Sequence, residues 1–227
     1  GPGTLRVRGY RARKMALSEN PSNFTLTPMI RSFRLFLLLA LVAVGACDPV
    51  SLTLGAGAAT GVAAYQERGI EGVARDGAIE ARIFKLWVQR DKNMVVHMSI
   101  EVYESRALLT GVARSEQERA DAVGMAWKAD GIKDVMNEIV VGEAPSFSEV
   151  ARDTAITAEL KSRLTFDGEV LAVNYAIETV RGVVFLLGIA QDQAELDRVI
   201  AQARNISYVR RVVSYVQLKA DIKGAGA

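Results

Sequence analysis

The sequence predicts an α+β protein: two tandem α-β-β-α-β modules, each a three-stranded sheet covered by two helices, behind an apolar leader and a Gly/Ala-rich spacer. Three observations predict it. Sliding the chain by 77 positions aligns residues 76–141 with 153–218 without a gap. Within each aligned copy the apolar spacing switches between helical period and strand alternation in the same order. The first 46 residues differ in charge and composition from everything after them.

The shift places Asp76 on Asp153, Ile79 on Ile156, Ile100-Glu101 on Ile177-Glu178, Gly111 on Gly188 and Glu118 on Glu195. Each copy opens with an Asp (Asp76, Asp153), expected as the N-cap of a first helix because its carboxylate can accept the free amides there. That helix carries Ile79, Ile83 and Trp87, matched by Ile156, Leu160 and Leu164. Phe84, Trp87 and Val88 widen its apolar face in the first copy, where the second has Lys161, Leu164 and Thr165. The wider face is expected to pack on the other module or the spacer, with membrane contact through Phe84 and Trp87 as the alternative.

A strand follows, with Val96, Met98, Ile100 and Val102 on one face and His97, Ser99 and Glu101 on the other. A short turn at residues 104–106, or 181–182, makes a hairpin with a compact apolar strand ending at Gly111 or Gly188. These glycines are expected to serve a tight turn or a close approach. Ser115-x-x-Glu118 is a capping box and Asp192-x-x-Glu195 a close analogue, so each opens a second helix. Trp127, four residues after Val123, falls at core or half-core spacing on that helix. A last strand lies near 133–141 and 210–218, and residues 142–152 form a short linker.

Composition excludes much chemistry. One Cys rules out an intrachain disulfide framework or a multi-cysteine zinc site, and one His rules out a His-rich metal site. His97 is expected as a solvated strand residue. No Ser-His-Asp or Cys-His arrangement is available, and Glu101 and Glu178 give one carboxylate per copy rather than a catalytic pair. No catalytic residue, cofactor or metal site is expected. The 28 basic and 26 acidic residues are unevenly placed: residues 1–46 hold seven of the basic ones and one acid. The remainder has 21 basic and 25 acidic residues, without a basic patch carrying aromatics, so nucleic acid is not an expected partner.

From Met29 the chain reads MIRSFRLFLLLALVAVGAC. Arg31 and Arg34 precede an apolar run from Leu35 to Val44, too short to span a bilayer but suited to a signal-peptide core. Val44-Gly45-Ala46-Cys47 resembles the bacterial lipobox, whose cysteine is diacylated and becomes the mature N-terminus. A thioether-linked lipid on Cys47 would remove a lone thiol from an oxidising compartment, and its acyl chains would anchor stably. The expected division is 1–46 upstream extension and signal peptide, 47–73 anchor and flexible spacer, 74–142 first module, and 152–219 second module.

The duplicated α-β-β-α-β layout, with Gly111-Val112-Ala113 before Glu118 and Gly188-Ile189-Ala190 before Glu195, resembles the BON family. With the lipobox, it is similar to dual-BON lipoproteins of the bacterial envelope. The resemblance implies a non-catalytic module that supports outer-membrane integrity by binding phospholipid surfaces or membrane-associated partners. The alternative is a protein-binding envelope adaptor without lipid recognition. The expected location is the periplasmic face of the envelope, at the outer rather than the inner membrane. For the best-studied dual-BON lipoproteins, the resemblance implies that the first helix of the second copy meets anionic phospholipid through an exposed Trp near its start. The aligned position here is Ala155, which leaves Lys161, Arg163 and Phe166 as the contact candidates on that helix.

Overall fold

The computed structural model describes residues 63–224, all within one compact unit spanning 54–227. The expected signal peptide, the lipidation site Cys47 and most of the spacer lie outside the described residues.

Module 1 contains α1 (Gly69–Arg90), a single helical turn α2 (Met94–His97), β1 (Met98–Tyr103), β2 (Arg106–Ala113), α3 (Glu116–Ala126) and β3 (Asp134–Val141). Module 2 repeats this with α4 (Phe147–Thr165), a 3-10 turn (Ala172–Asn174), β4 (Tyr175–Val180), β5 (Val183–Ala190), α5 (Gln193–Arg204) and β6 (Arg211–Leu218). A short helix α6 (Lys219–Gly224) follows. The strand orders are β1-β2-β3 and β4-β5-β6, with the hairpin pair antiparallel and the last strand parallel to the middle one. A parallel neighbour needs a crossover, which α3 and α5 supply. The expected tandem α+β fold is therefore what the chain adopts.

One face of each sheet takes its helices. Ile79, Ile83 and Trp87 of α1 meet Ile100, Val102, Ala107 and Leu109. Ile156, Leu160 and Leu164 of α4 meet Ile177, Val184 and Leu186. Each such side chain, once buried, contributes about 1.5–3 kcal/mol of apolar transfer. The other faces pack on each other. Tyr103, Leu108 and Met136 of module 1 join Phe185, Leu187 and Ile189 of module 2 in a third cluster. Residues 77 apart in sequence meet across this seam: Tyr215 hydrogen-bonds Glu138, and Glu101 hydrogen-bonds Glu178. Equivalent residues touch in this way where a two-fold axis relates the halves, so the seam resembles an isologous dimer interface within one chain.

Several sequence expectations need correction. Asp76 and Asp153 are not N-caps; α1 begins at Gly69 and α4 at Phe147, so both carboxylates lie inside helices. The helix start of module 2 is instead a capping box at Ser146 and Glu149, and most of the expected linker is α4. Residues 69–73, expected in a flexible spacer, form the first turn of α1. The first strand starts at Met98, since Met94–His97 coil into a turn that buries Met94 and leaves Val96 exposed. His97 therefore sits on that turn rather than on a strand. Gly111 and Gly188 lie within their strands at φ +108° and +152°, and a Cβ there would overlap the carbonyl oxygens of His97 and Asn174. Close approach, not a strand end, requires glycine.

Candidate contact surface and the N-terminal strap

The hairpin turns are the first element built by the misplaced Asp residues. Glu104 and Ser105 both have positive φ, as do Arg181 and Gly182, which defines two-residue hairpins of the type that matches strand twist. Three of these four residues carry side chains that disfavour that backbone. The Asp76 carboxylate accepts both turn amides, from Glu104 and Ser105, at 2.8 Å each. Asp153 accepts those of Arg181 and Gly182 at 2.6 and 2.9 Å. The helix thus holds the turn in each module.

Residues 63–68 form a strap ahead of α1. Arg68 bonds Asp76 at 2.7 Å and the Val102 carbonyl at 2.9 Å, with its guanidinium 4.2 Å from the Tyr103 ring centre. The Glu67 amide donates to Asn174 Oδ1 of module 2 at 2.9 Å, and its carboxylate accepts from Gln191 and Lys219 at 2.8 Å each. The strap therefore touches both modules at the end where module 1 has its hairpin turn and module 2 has the start of β4. Trp127 follows α3 and opens the connection back to this end, where the Lys133 amide donates to the Ser105 carbonyl at 2.8 Å.

The same cleft recurs in both modules between the first-helix connection and the second helix. In module 1 it has a volume of about 160 Å³ beside Arg114, whose guanidinium pairs with Asp91 and Glu118. In module 2 it opens to about 520 Å³. There Gln191 replaces the arginine and turns to Glu67 of the strap, while the buried Glu195 accepts the Leu171 and Gln191 amides. Among the described residues, no group of His, Cys, Asp or Glu could hold a metal, and no helix is long and apolar enough to cross a membrane.

The candidate contact residues separate widely. Trp87 is fully buried, its indole N–H donating to the Ala122 carbonyl at 3.1 Å, so it belongs to the core and cannot meet a surface. Phe84 is 50% exposed on the neighbouring flank of α1. On α4, Ala155 is exposed, and Arg163 pairs with Glu159 one turn back. Phe166, the C-cap residue of α4, is 86% exposed, with Leu171 and Val173 exposed in the connection after it. Lys161 is half-buried instead of lipid-facing, because it lies near Glu101 and Glu178 and stabilises their charged forms. Trp127, expected at core or half-core spacing, is 51% exposed and caps α3 at its C-terminal end, since the helix ends at Ala126. Its place one residue beyond the helix end is the signal that sequence spacing missed.

The seam between modules holds carboxyl groups displaced from their ordinary behaviour. Burial, with Glu178 and Glu80 nearby, pushes the Glu101 carboxyl well above the usual carboxylate range. Burial also raises Glu178. The Tyr215 hydroxyl, half-buried beside Glu138, is pushed up to about 12.

Comparison with known proteins fits this duplicated geometry. The family described as "BON domain" matches twice, over residues 75–143 and 152–220. A protein of Anaplasma centrale described as "Uncharacterized protein in gshII 5'region" is 41% identical over 145 residues, covering 63% of this chain and 95% of its own length. Outer membrane lipoprotein DolP of Haemophilus influenzae is 28% identical over 167 residues, 72% of this chain and 85% of that protein. Osmotically-inducible protein Y of Escherichia coli is 30% identical over 146 residues, 63% of this chain and 73% of that protein. With two matched domains in two modules of the same topology, this chain belongs to the BON-domain family.

Proposed function

We propose that this chain is a lipid-anchored protein on the periplasmic face of the bacterial envelope, held at the outer membrane through Cys47. In this reading it supports envelope integrity by non-catalytic contact with phospholipid surfaces. The observation that carries the reading is the strap. Residues 47 and 63 are 16 positions apart, a reach of at most about 55 Å, and Glu67 then ties the chain to module 2 beside Asn174. A bilayer-bound Cys47 would therefore hold the body within about 55 Å of lipid, with the strap end as its point of attachment. That end carries exposed Tyr65, Leu171 and Val173, with Phe166 and Trp127 in the connections that lead to it. Aromatic side chains suit the bilayer interface, and tethering makes weak contacts sufficient. Arg163 contributes little because Glu159 already pairs with it.

The resemblance to an outer membrane lipoprotein by name supports the location. Two observations favour the adaptor as a second reading: Ala155 offers no lipid-seeking side chain, and Trp87 is buried. An alkyne fatty-acid probe tests the anchor. The intact chain is expected to incorporate the probe and fractionate with outer membrane, and Cys47→Ser to lose both. An unlabelled wild-type product would overturn the anchor. Vesicle binding by the unanchored unit separates lipid contact from the adaptor.

A further inference from the structure

The seam between the two sheets holds polar groups that the protein leaves without hydrogen-bond partners: Thr110 Oγ1 and the Nε and Nη2 atoms of Arg106. Buried groups of this kind cost free energy, so polar contacts do not fully close the seam. At its edge, β1 and β4 bring Glu101 and Glu178 together on the faces turned away from the helices. Two carboxyl groups can hydrogen-bond only if one keeps its proton. We propose that Glu101 and Glu178 form a proton-operated latch between the modules, closed while the pair shares a proton and released when that proton leaves.

Glu80 reaches the pair from α1 and Lys161 from α4. Glu80 opposes the second charge, whereas Lys161 favours it. Elsewhere in the seam, Glu138 is held by the Tyr215 hydroxyl. The first strand of each module offers the other only this carboxyl on its seam face between Ser99 and Tyr103, or between Ala176 and Val180. Both carboxyls are raised in the folded protein, so the folded state holds the proton more tightly than the unfolded chain. The stabilisation is complete at acid pH and is lost as pH rises through the folded-state value. Release admits water to the seam and loosens the placement of one module on the other. The inference does not depend on whether the chain meets a bilayer.

The test uses the unit 54–227, which contains all three cores, with spin labels at Ala120→Cys and Asp197→Cys on the exposed faces of α3 and α5. At about pH 5.5 one narrow distance distribution is expected, and at about pH 9 its width about doubles while far-UV circular dichroism stays unchanged. Glu101→Gln, whose amide still donates to Glu178, is expected to stay narrow at both pH values. Glu178→Gln is expected to do the same, and it serves if the first variant fails to fold. An unchanged width in the wild type, or equal broadening in a carboxamide variant, would overturn the latch.

Discussion

The Asp76 carboxylate accepts the backbone N–H of Ser105 at 2.8 Å, from two turns inside its helix to the tip of a hairpin 29 residues later. Asp153 repeats the bond to Gly182 at 2.9 Å. Each helix is thereby fastened to the strand pair it covers at the place where the backbone is least comfortable. Asp76→Ala strands two turn amides and the Arg68 guanidinium. A loss of about 3 kcal/mol is expected, with Asp153→Ala costing about half as much because Asp153 is less buried. Denaturant unfolding of both variants measures the difference.

Trp87 is a core residue, and its variants should behave accordingly. Trp87→Ala is expected to cost about 3–5 kcal/mol of stability. Phe84→Ala, on the exposed flank, should cost under about 0.5 kcal/mol. A double Phe84/Trp87 variant would therefore unfold module 1 and report nothing about a surface; Phe84→Ala alone does.

Gly111 and Gly188 face equivalent overlaps with different consequences. Gly188→Ala drives its Cβ into the Asn174 carbonyl, and Asn174 also holds the Glu67 amide. Gly111→Ala meets His97, which holds no part of the strap. Both should destabilise by about 3 kcal/mol or more. Hydrogen exchange at the Glu67 amide should quicken only in Gly188→Ala at pH and temperature where both variants stay folded.

Lys219 pairs with Glu67 at 2.8 Å, with both side chains partly in solvent. Lys219→Ala should change global stability by less than about 1 kcal/mol. Limited proteolysis within residues 63–68 should nonetheless speed up several-fold, because the strap loses one of its ties to module 2.

Much of this architecture was legible in the amino-acid pattern. The 77-residue shift, the hairpins and the caps at Ser115 and Asp192 all appear where the spacing placed them. What misled was local chemistry serving tertiary ends. An Asp before an apolar period reads as a cap, yet Asp76 and Asp153 serve turns far along the chain. The capping box at Ser146 and Glu149 was present in the sequence and marks the true start of α4. The seam was invisible to periodicity: Glu101 and Glu178 occupy the polar side of alternating strands, which normally faces water. Only the packing of one sheet on the other buries them.

The most direct measurement is flotation of the unlipidated unit 54–227 with vesicles of anionic or zwitterionic phospholipid at low and high salt. Wild type is expected to float with both kinds of vesicle and to stay bound as salt rises, because the strap-end contacts are apolar and aromatic, while Phe166→Ala and Trp127→Ala each float several-fold less. Flotation that is absent from every vesicle, or identical in both variants and wild type, would contradict membrane contact at the strap end and leave the adaptor reading in its place.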